Sequence, residues 1–415
     1  MSLPGMREPL RHRSFRFLMV ARAIVHLGNA IAPVALAFAV LDLTGSAIDL
    51  GIVVGARSIA NVVLLLFGGV LADRLPRALV LQGSTALAGL TQGLVAASVL
   101  GGFASVPLLA CLSVLNGAAA ATSMPATASL VPQTVPAELL RPANALARMG
   151  TTTATIIGTS AGGLAVAAVG PGWGIAFNAA TFLIASVLFA RMRVITAAPS
   201  TKERSHPLTE LREGWREFSS RTWVWAVVLQ FMVVNAVIVG SIAVLGPVIA
   251  DATFGRAAWG LVLAAQTAGA LVGGFVAARW QPRRALFIGV ALTLFEAVPL
   301  VALAEVPKVL FLVPTMFLVG VVLEQFVVAW DVALQQHVPQ DKLARVYSYD
   351  ALGSFVAIPV GEMAAGPLAE HFGMRATLLG GAALLVLATL AALCSKEIRT
   401  LSSSERSVVG QQGDV

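Results

Sequence analysis

Twelve long apolar stretches follow one another along this chain. They lie at roughly 15–41, 46–72, 78–100, 104–127, 143–169, 173–192, 222–250, 257–280, 284–303, 307–331, 345–371 and 375–394, each bounded by charged residues, Gly or Pro. Their lengths match the ~20 residues that a helix needs to cross a bilayer. The polar–apolar alternation of a membrane strand is absent. In hydrocarbon every backbone N–H must find a carbonyl inside its own segment, so the stretches predict α-helices and not a barrel. The pattern predicts an all-α membrane protein with twelve transmembrane helices in two six-helix bundles, 1–192 and 222–395. A cytoplasmic linker at 193–221 joins them, and a polar tail at 396–415 is expected to be disordered. Within the linker, PLTELREGWREF (207–218) reads either as an amphipathic helix on the membrane surface or as a solvated tether.

Charge adds orientation to this pattern. With both termini on the cytoplasmic side, the inner segments hold 22 of the 28 Lys and Arg residues. The outer loops then hold Arg256, Lys308 and Arg375, and the spans hold Arg22, Arg57 and Arg148. The net charge of +7 is therefore a positive-inside bias divided among loops, which argues against a nucleic-acid partner. All seven Trp residues fall near span ends or on the inner linker, where amphipathic rings settle. A composition of 57% apolar and 12% charged residues, with mean hydropathy +0.84, excludes an ordinary soluble domain. Cys111 and Cys394 sit in spans of different halves and predict ordinary packing, not a disulfide. The basic N-terminus runs into a full-length span without a small-residue cleavage site, so no removable signal peptide is expected. The expected location is the bacterial inner membrane.

An internal repeat organises the halves. Pro136, Gly158, Gly163 and Gly170 match Pro339, Gly361, Gly366 and Gly373 at one offset of 203. Upstream, Gly69 aligns with Gly274 and Gly51 with Gly260. Six spans separate the copies, so the halves share one orientation and the repeat is of the parallel type. Two basic hinges recur with it, GGVLADRLPRAL at 68–79 and GGFVAARWQPRRAL at 273–286.

The segment Gly69-x-x-x-Asp73-Arg74-x-x-Arg77 resembles the signature loop of the major facilitator superfamily, with Pro76 where that pattern usually has Gly. LDLTGSA (41–47), the run PATASLVPQTVPAELLRPANAL (125–146) and Gly158-x-x-x-Gly162-Gly163 resemble the drug–proton antiporter branch that contains macrolide and enterobactin exporters. The chain departs from that branch at Asn29, where an acidic residue is common, and at Thr159, where Pro is usual. The resemblance implies alternating access between two bundles. Asp73 at the end of the second span can accept hydrogen bonds from a neighbouring helix N-terminus while Arg74 and Arg77 hold acidic or carbonyl partners, so with Gly69 they read either as an inner gate, Asp350 being the expected partner of Arg77, or as simple positive-inside anchoring. The second hinge has Ala278 in place of Asp73, so this latch is expected to be asymmetric.

Charges within spans are costly and normally face a partner or a water-filled cavity. Arg22, His26, Asn29 and Pro33 follow at spacings of four, three and four, one polar face of the first helix. His26 reads either as a proton carrier or as a hydrogen-bonded structural residue, and Arg22 as a binder of an anionic group or a member of an internal pair. Glu324, Asp331 and Gln335 stripe the tenth span, and Glu324 lies at the depth of Arg22 and Arg148. Glu324 is the first choice for protonation; the alternative is a permanent ion pair with one of those arginines. Arg57 and Glu362 share a depth near the outer surface and are expected to pair in one access state, with Asn61 lining the same cavity. Glu296, on the ninth span, is expected to be structural or to lie beside lipid. Gly158, Gly162, Gly163, Gly361 and Gly366 are expected to let helices approach closely, both copies at the seam between halves.

No phosphate-binding loop, metal-spaced His/Cys cluster or nucleophile–base pair occurs, so neither cofactor nor metal nor enzymatic activity is expected. The function that emerges is secondary transport, proton-coupled efflux of an amphiphilic small molecule by a monomer whose other partners are protons and lipids. An importer, a lipid-like flippase or a non-transporting sensor would share the same physics.

Overall fold

A computed structural model describes residues 7–74, 77–128, 130–192, 215–280 and 282–401, with side chains also left aside at 65–78, 124–129 and a few single positions. Twelve helices are long and apolar enough to cross a membrane, and no strand occurs among the described residues. In the first half they are α1 (Arg13–Thr44), α2 (Ala47–Arg74), α3 (Arg77–Leu100), α4 (Val106–Ala128), α5 (Leu140–Val169) and α6 (Pro171–Ala190). In the second half they are α7 (Thr222–Ala252), α8 (Arg256–Arg279), α9 (Ala285–Glu305), α10 (Val309–His337), α11 (segments Gln340–Phe355 and Ile358–Phe372) and α12 (Met374–Leu393). Of the expected linker helix, 207–214 lie outside the described residues; 215–219 are helical.

Three helices of the second half change pitch, each upstream of a proline. α7 takes a π turn at Ser241–Leu245, α9 a 3-10 turn at Thr293–Glu296, and α11 breaks between Phe355 and Ile358. Pro247, Pro299 and Pro359 stand four residues after Ala243, Phe295 and Phe355, so each lacks the N–H that would have bonded that carbonyl. Pro33 and Pro314 lie within helices that continue, so a proline does not decide the outcome alone.

Packing repeats between the halves. The pairs α1·α5, α1·α6, α2·α4, α3·α4 and α3·α6 recur as α7·α11, α7·α12, α8·α10, α9·α10 and α9·α12. Two further pairs, α2·α11 and α5·α8, join the halves and exchange with each other under the same repeat. No hydrophobic effect favours helix association in lipid, so close approach depends on small residues. A Cβ on Gly163 would stand 2.7 Å from the Gly260 Cα, and one on Gly366 2.7 Å from the Ile48 Cα. These glycines occupy the seam.

Gly158, Gly162 and Gly361 do not, contrary to the expectation from sequence. Gly158 lies against the Leu27 carbonyl and Gly162 against Ile31, both on α1, while Gly361 lies against Ala236 on α7. Three residues in one copy and two in the other were too coarse a pattern to separate two faces: positions 158 and 361 face inside each bundle, and 163 and 366 face across. The seam contacts Gly51–Glu362, Gly55–Met363, Gly163–Gly260 and Gly366–Ile48 all fall in the parts of α2, α5, α8 and α11 far from the chain termini. The molecule is therefore closed at this termini-distal end. Trp223 and Trp259 stand in the first turns of α7 and α8, near span ends as expected, but their side chains and that of Trp330 are buried; Trp259 packs on Gly246.

Candidate functional site

Polar side chains inside the first bundle converge on a cavity of about 390 Å³ lined entirely by residues of α1, α2, α3, α4 and α6. The α1 face predicted from spacing supplies Arg22, His26 and Asn29, and α2 supplies Arg57 and Asn61. Ser84 and Thr85 of α3 and Asn116 and Ser123 of α4 complete the polar part. Arg57 Nε donates to Asn116 Oδ1 at 3.1 Å, and Asn116 Nδ2 donates to Thr91 Oγ1 at 3.4 Å. The structure thus brings together Arg22, His26, Asn29, Arg57 and Asn61. Asn116 had no signal in the sequence, because a lone Asn in an apolar stretch resembles many packed amides.

A second group lies between the halves. Arg148 Nη2 of α5 donates to Glu324 Oε1 of α10 at 3.2 Å, and the Arg148 side chain is 81% exposed against 18% for Glu324. The bond joins the two halves about a third of the way along α5, with the Arg148 side chain at the exposed edge of the contact. Glu324 rests against Gly273 on α8, and the neighbouring Gln325 donates to the Gly273 carbonyl at 2.6 Å. Asp331 accepts from Tyr347 Oη at 3.0 Å, and Asp350 accepts from Trp330 Nε1 at 3.0 Å and Ser354 Oγ at 3.2 Å. The side chains of Asp73, Arg74 and Arg77 and the surroundings of Gly69, and with them the expected gate contact to Asp350, lie outside what the structure describes.

Arg57 and Glu362 stand on packed helices without forming an ion pair. The Arg57 guanidinium turns into its own bundle toward Asn116, while the buried Glu362 carboxyl lies beside Ser58 with Oε2 unpartnered. Glu296 is buried within the second bundle with Oε1 unpartnered, not beside lipid.

The termini-distal end carries a cluster that the sequence concealed. Arg256, at the start of α8, spans the seam to Asp42 of α1 through Nη1–Oδ2 at 3.0 Å and a second, parallel bond. It also binds Asp251 of its own half through Nε at 2.7 Å and stands over the Phe38 ring at 4.8 Å. In sequence it read only as one of three basic residues in outer loops.

A sequence profile described as Major Facilitator Superfamily matches residues 18–362. The chain belongs to this superfamily. Over 402 residues it is 26% identical to the multidrug efflux pump Tap of Mycolicibacterium fortuitum, covering 94% of this chain and 97% of that protein. Among solved structures it resembles the nucleoside transporter NupG with a TM-score of 0.74 at 13% identity, covering 94% of this chain and 99% of NupG. A bacterial homologue of the human lysosomal transporter Spinster, inward-facing and occupied, superposes with a TM-score of 0.69 at 15% identity over 92% and 96% of the two chains. These structures share the fold of this superfamily member, which is a multi-pass membrane protein with the architecture of transporters.

Proposed function

We propose that the protein is a proton-coupled exporter of an amphiphilic small molecule, working by alternating access in the bacterial inner membrane with both termini cytoplasmic. The observation that carries this reading is the Arg148–Glu324 bond, an ion pair between halves toward the termini side of the seam. A proton on Glu324 removes its charge and with it the attraction to Arg148, so protonation changes the relative energy of two bundle arrangements. A ligand preferring one arrangement is then linked to the proton by differential affinity. The likeness to a multidrug efflux pump supports export and an amphiphilic cargo. With the termini in the cytoplasm, the glycine-packed end of the seam is the outward end. Asp331 and His26 are the further titratable groups of this path, and Asp73, Arg74 and Arg77 form its inner gate with Asp350.

The test uses everted vesicles containing the protein and a pH-sensitive dye, with the interior made acidic. Adding amphiphilic drugs and siderophore-like compounds one at a time is expected to release protons, and Glu324→Gln is expected to abolish that release while the protein remains in the membrane. Substrate flux that is equal in the variant and in wild type overturns the coupling role of Glu324.

A further inference from the structure

The cavity of the first bundle is cationic and holds no carboxylate. Arg22, His26 and Arg57 all line it, their polar neighbours are amides and hydroxyls, and no Asp or Glu is among the lining residues. Arg22 Nε is buried without a hydrogen-bond partner, and Arg22 has no ion-pair partner among the described residues. His26 stands one helical turn from it, so a protonated His26 would add a like charge. Arg57 spends one N–H on Asn116; Glu362, the carboxylate that acts on it, lies on α11 across the seam and does not line the cavity. Uncompensated guanidinium donors within a membrane are costly, and their forked geometry matches carboxylate and phosphate oxygens. Val25, Leu81, Phe182 and Phe189 supply apolar lining beside these groups. A volume of about 390 Å³ suits a small ring-bearing molecule and is too small for a diacyl lipid.

We infer that this cavity is a binding site for an organic anion, a carboxylate or phosphate carried on a small apolar body and drawn from the aqueous phase. Arg22 and Arg57 grip the anionic group, Asn29 and Asn61 orient it, and the phenylalanines hold the ring. All of its walls belong to one bundle, so the ligand travels with that bundle when the halves move. Regarding it as the place where cargo lodges rests on the transport reading above. Binding and flux are therefore measured separately.

The probes are 1-naphthoate and its neutral analogue 1-naphthamide, titrated calorimetrically into the purified full-length protein in nanodiscs of neutral phosphatidylcholine. Naphthoate is expected to bind one per chain, at least about tenfold more tightly than naphthamide. Arg22→Gln is expected to weaken naphthoate by about tenfold or more, and Arg22→Lys by a smaller factor because the charge remains and the fork is lost. Arg375→Gln, which removes a positive charge at the far surface, leaves it unchanged. The comparison of the two probes on wild type needs no variant to fold. Equal affinity for the two probes, no naphthoate binding at millimolar concentration, or unaltered binding in a folded Arg22→Gln protein overturns the proposal. Loss of naphthoate binding when phosphatidylglycerol is added to the nanodiscs overturns the aqueous origin, because a lipid headgroup then holds the site. Naphthoate binding in a protein that moves no protons would leave this site standing and overturn the coupling reading; proton-coupled flux of neutral drugs without naphthoate binding would do the reverse.

Discussion

Arg148 and Glu324 reached each other across 176 positions of sequence because two helices place them at one depth. A pair this exposed is worth about 0.5–1 kcal/mol, too little to matter for stability, and the alternating-access proposal gives it a switching role instead. A double-mutant cycle with Arg148→Gln and Glu324→Gln is expected to return coupling of that size in protein held open on the termini side, and none in protein held in the opposite state. Glu217 offers a simpler case outside the membrane. It accepts from Arg221 and Lys342, and these cations hold its carboxyl below the usual carboxylate range. The contribution is therefore complete above the unfolded value of about 4.3 and is lost as pH falls through the lower folded value. Glu217→Gln is expected to melt slightly below wild type at pH 7, by less than about 1 kcal/mol in free energy, with the gap closing below about pH 4 in a melting series. The depth of Arg148 and Glu324, and the face formed by Arg22, His26 and Asn29, were legible from spacing alone. Asn116, Ser58, Ser84 and Ser123 were not, since short polar residues in helices commonly bond their own backbone and carry no periodic mark.

At the scale of single helices, the repeated glycines separate into two kinds with opposite consequences. Gly158 and Gly361 face backbone inside their own bundles, so adding a methyl group forces α5 from α1 or α11 from α7 in every state. Gly158→Ala and Gly361→Ala are expected to cost about 1–3 kcal/mol, read as earlier thermal unfolding. Gly163 meets Gly260 only where the halves touch. Gly163→Ala is expected to leave unfolding close to wild type but to open the termini-distal end, seen as longer spin-label distances between α5 and α8; unchanged distances would remove Gly163 from the closing surface. The number and type of helices followed from the lengths of the apolar stretches. Their interruptions did not, although Pro247, Pro299 and Pro359 each point back four residues to the disturbed carbonyl, because Pro33 and Pro314 carry the same mark without interrupting anything.

Taken whole, the molecule is held shut at one end by packed glycines and by Arg256, which ties Asp42 of one half to Asp251 of the other. Arg256→Gln is expected to raise labelling of a cysteine placed at Thr44 by a membrane-impermeant maleimide about threefold or more, the factor that ~0.7 kcal/mol gives. Labelling at the wild-type rate would mean that the glycine seam closes the end unaided. The two-bundle plan was legible because duplication leaves an offset in the sequence. Which end is closed was not, since both arrangements bury the same apolar pattern and differ only in contacts between distant residues such as Asp42 and Arg256.

The position of the glycine seam along α5 makes that helix a lever. Arg148 stands fifteen residues from Gly163, which at 1.5 Å per residue is an arm of roughly 22 Å. Turning one bundle against the other by about 15°, as packed subunits are known to do, swings the far end of that arm by about 6 Å. The fulcrum itself hardly shifts, while the 3.2 Å bond to Glu324 is pulled apart or remade. Under the alternating-access proposal, a small rocking motion at one face of the membrane is thereby amplified into a binary event at the other.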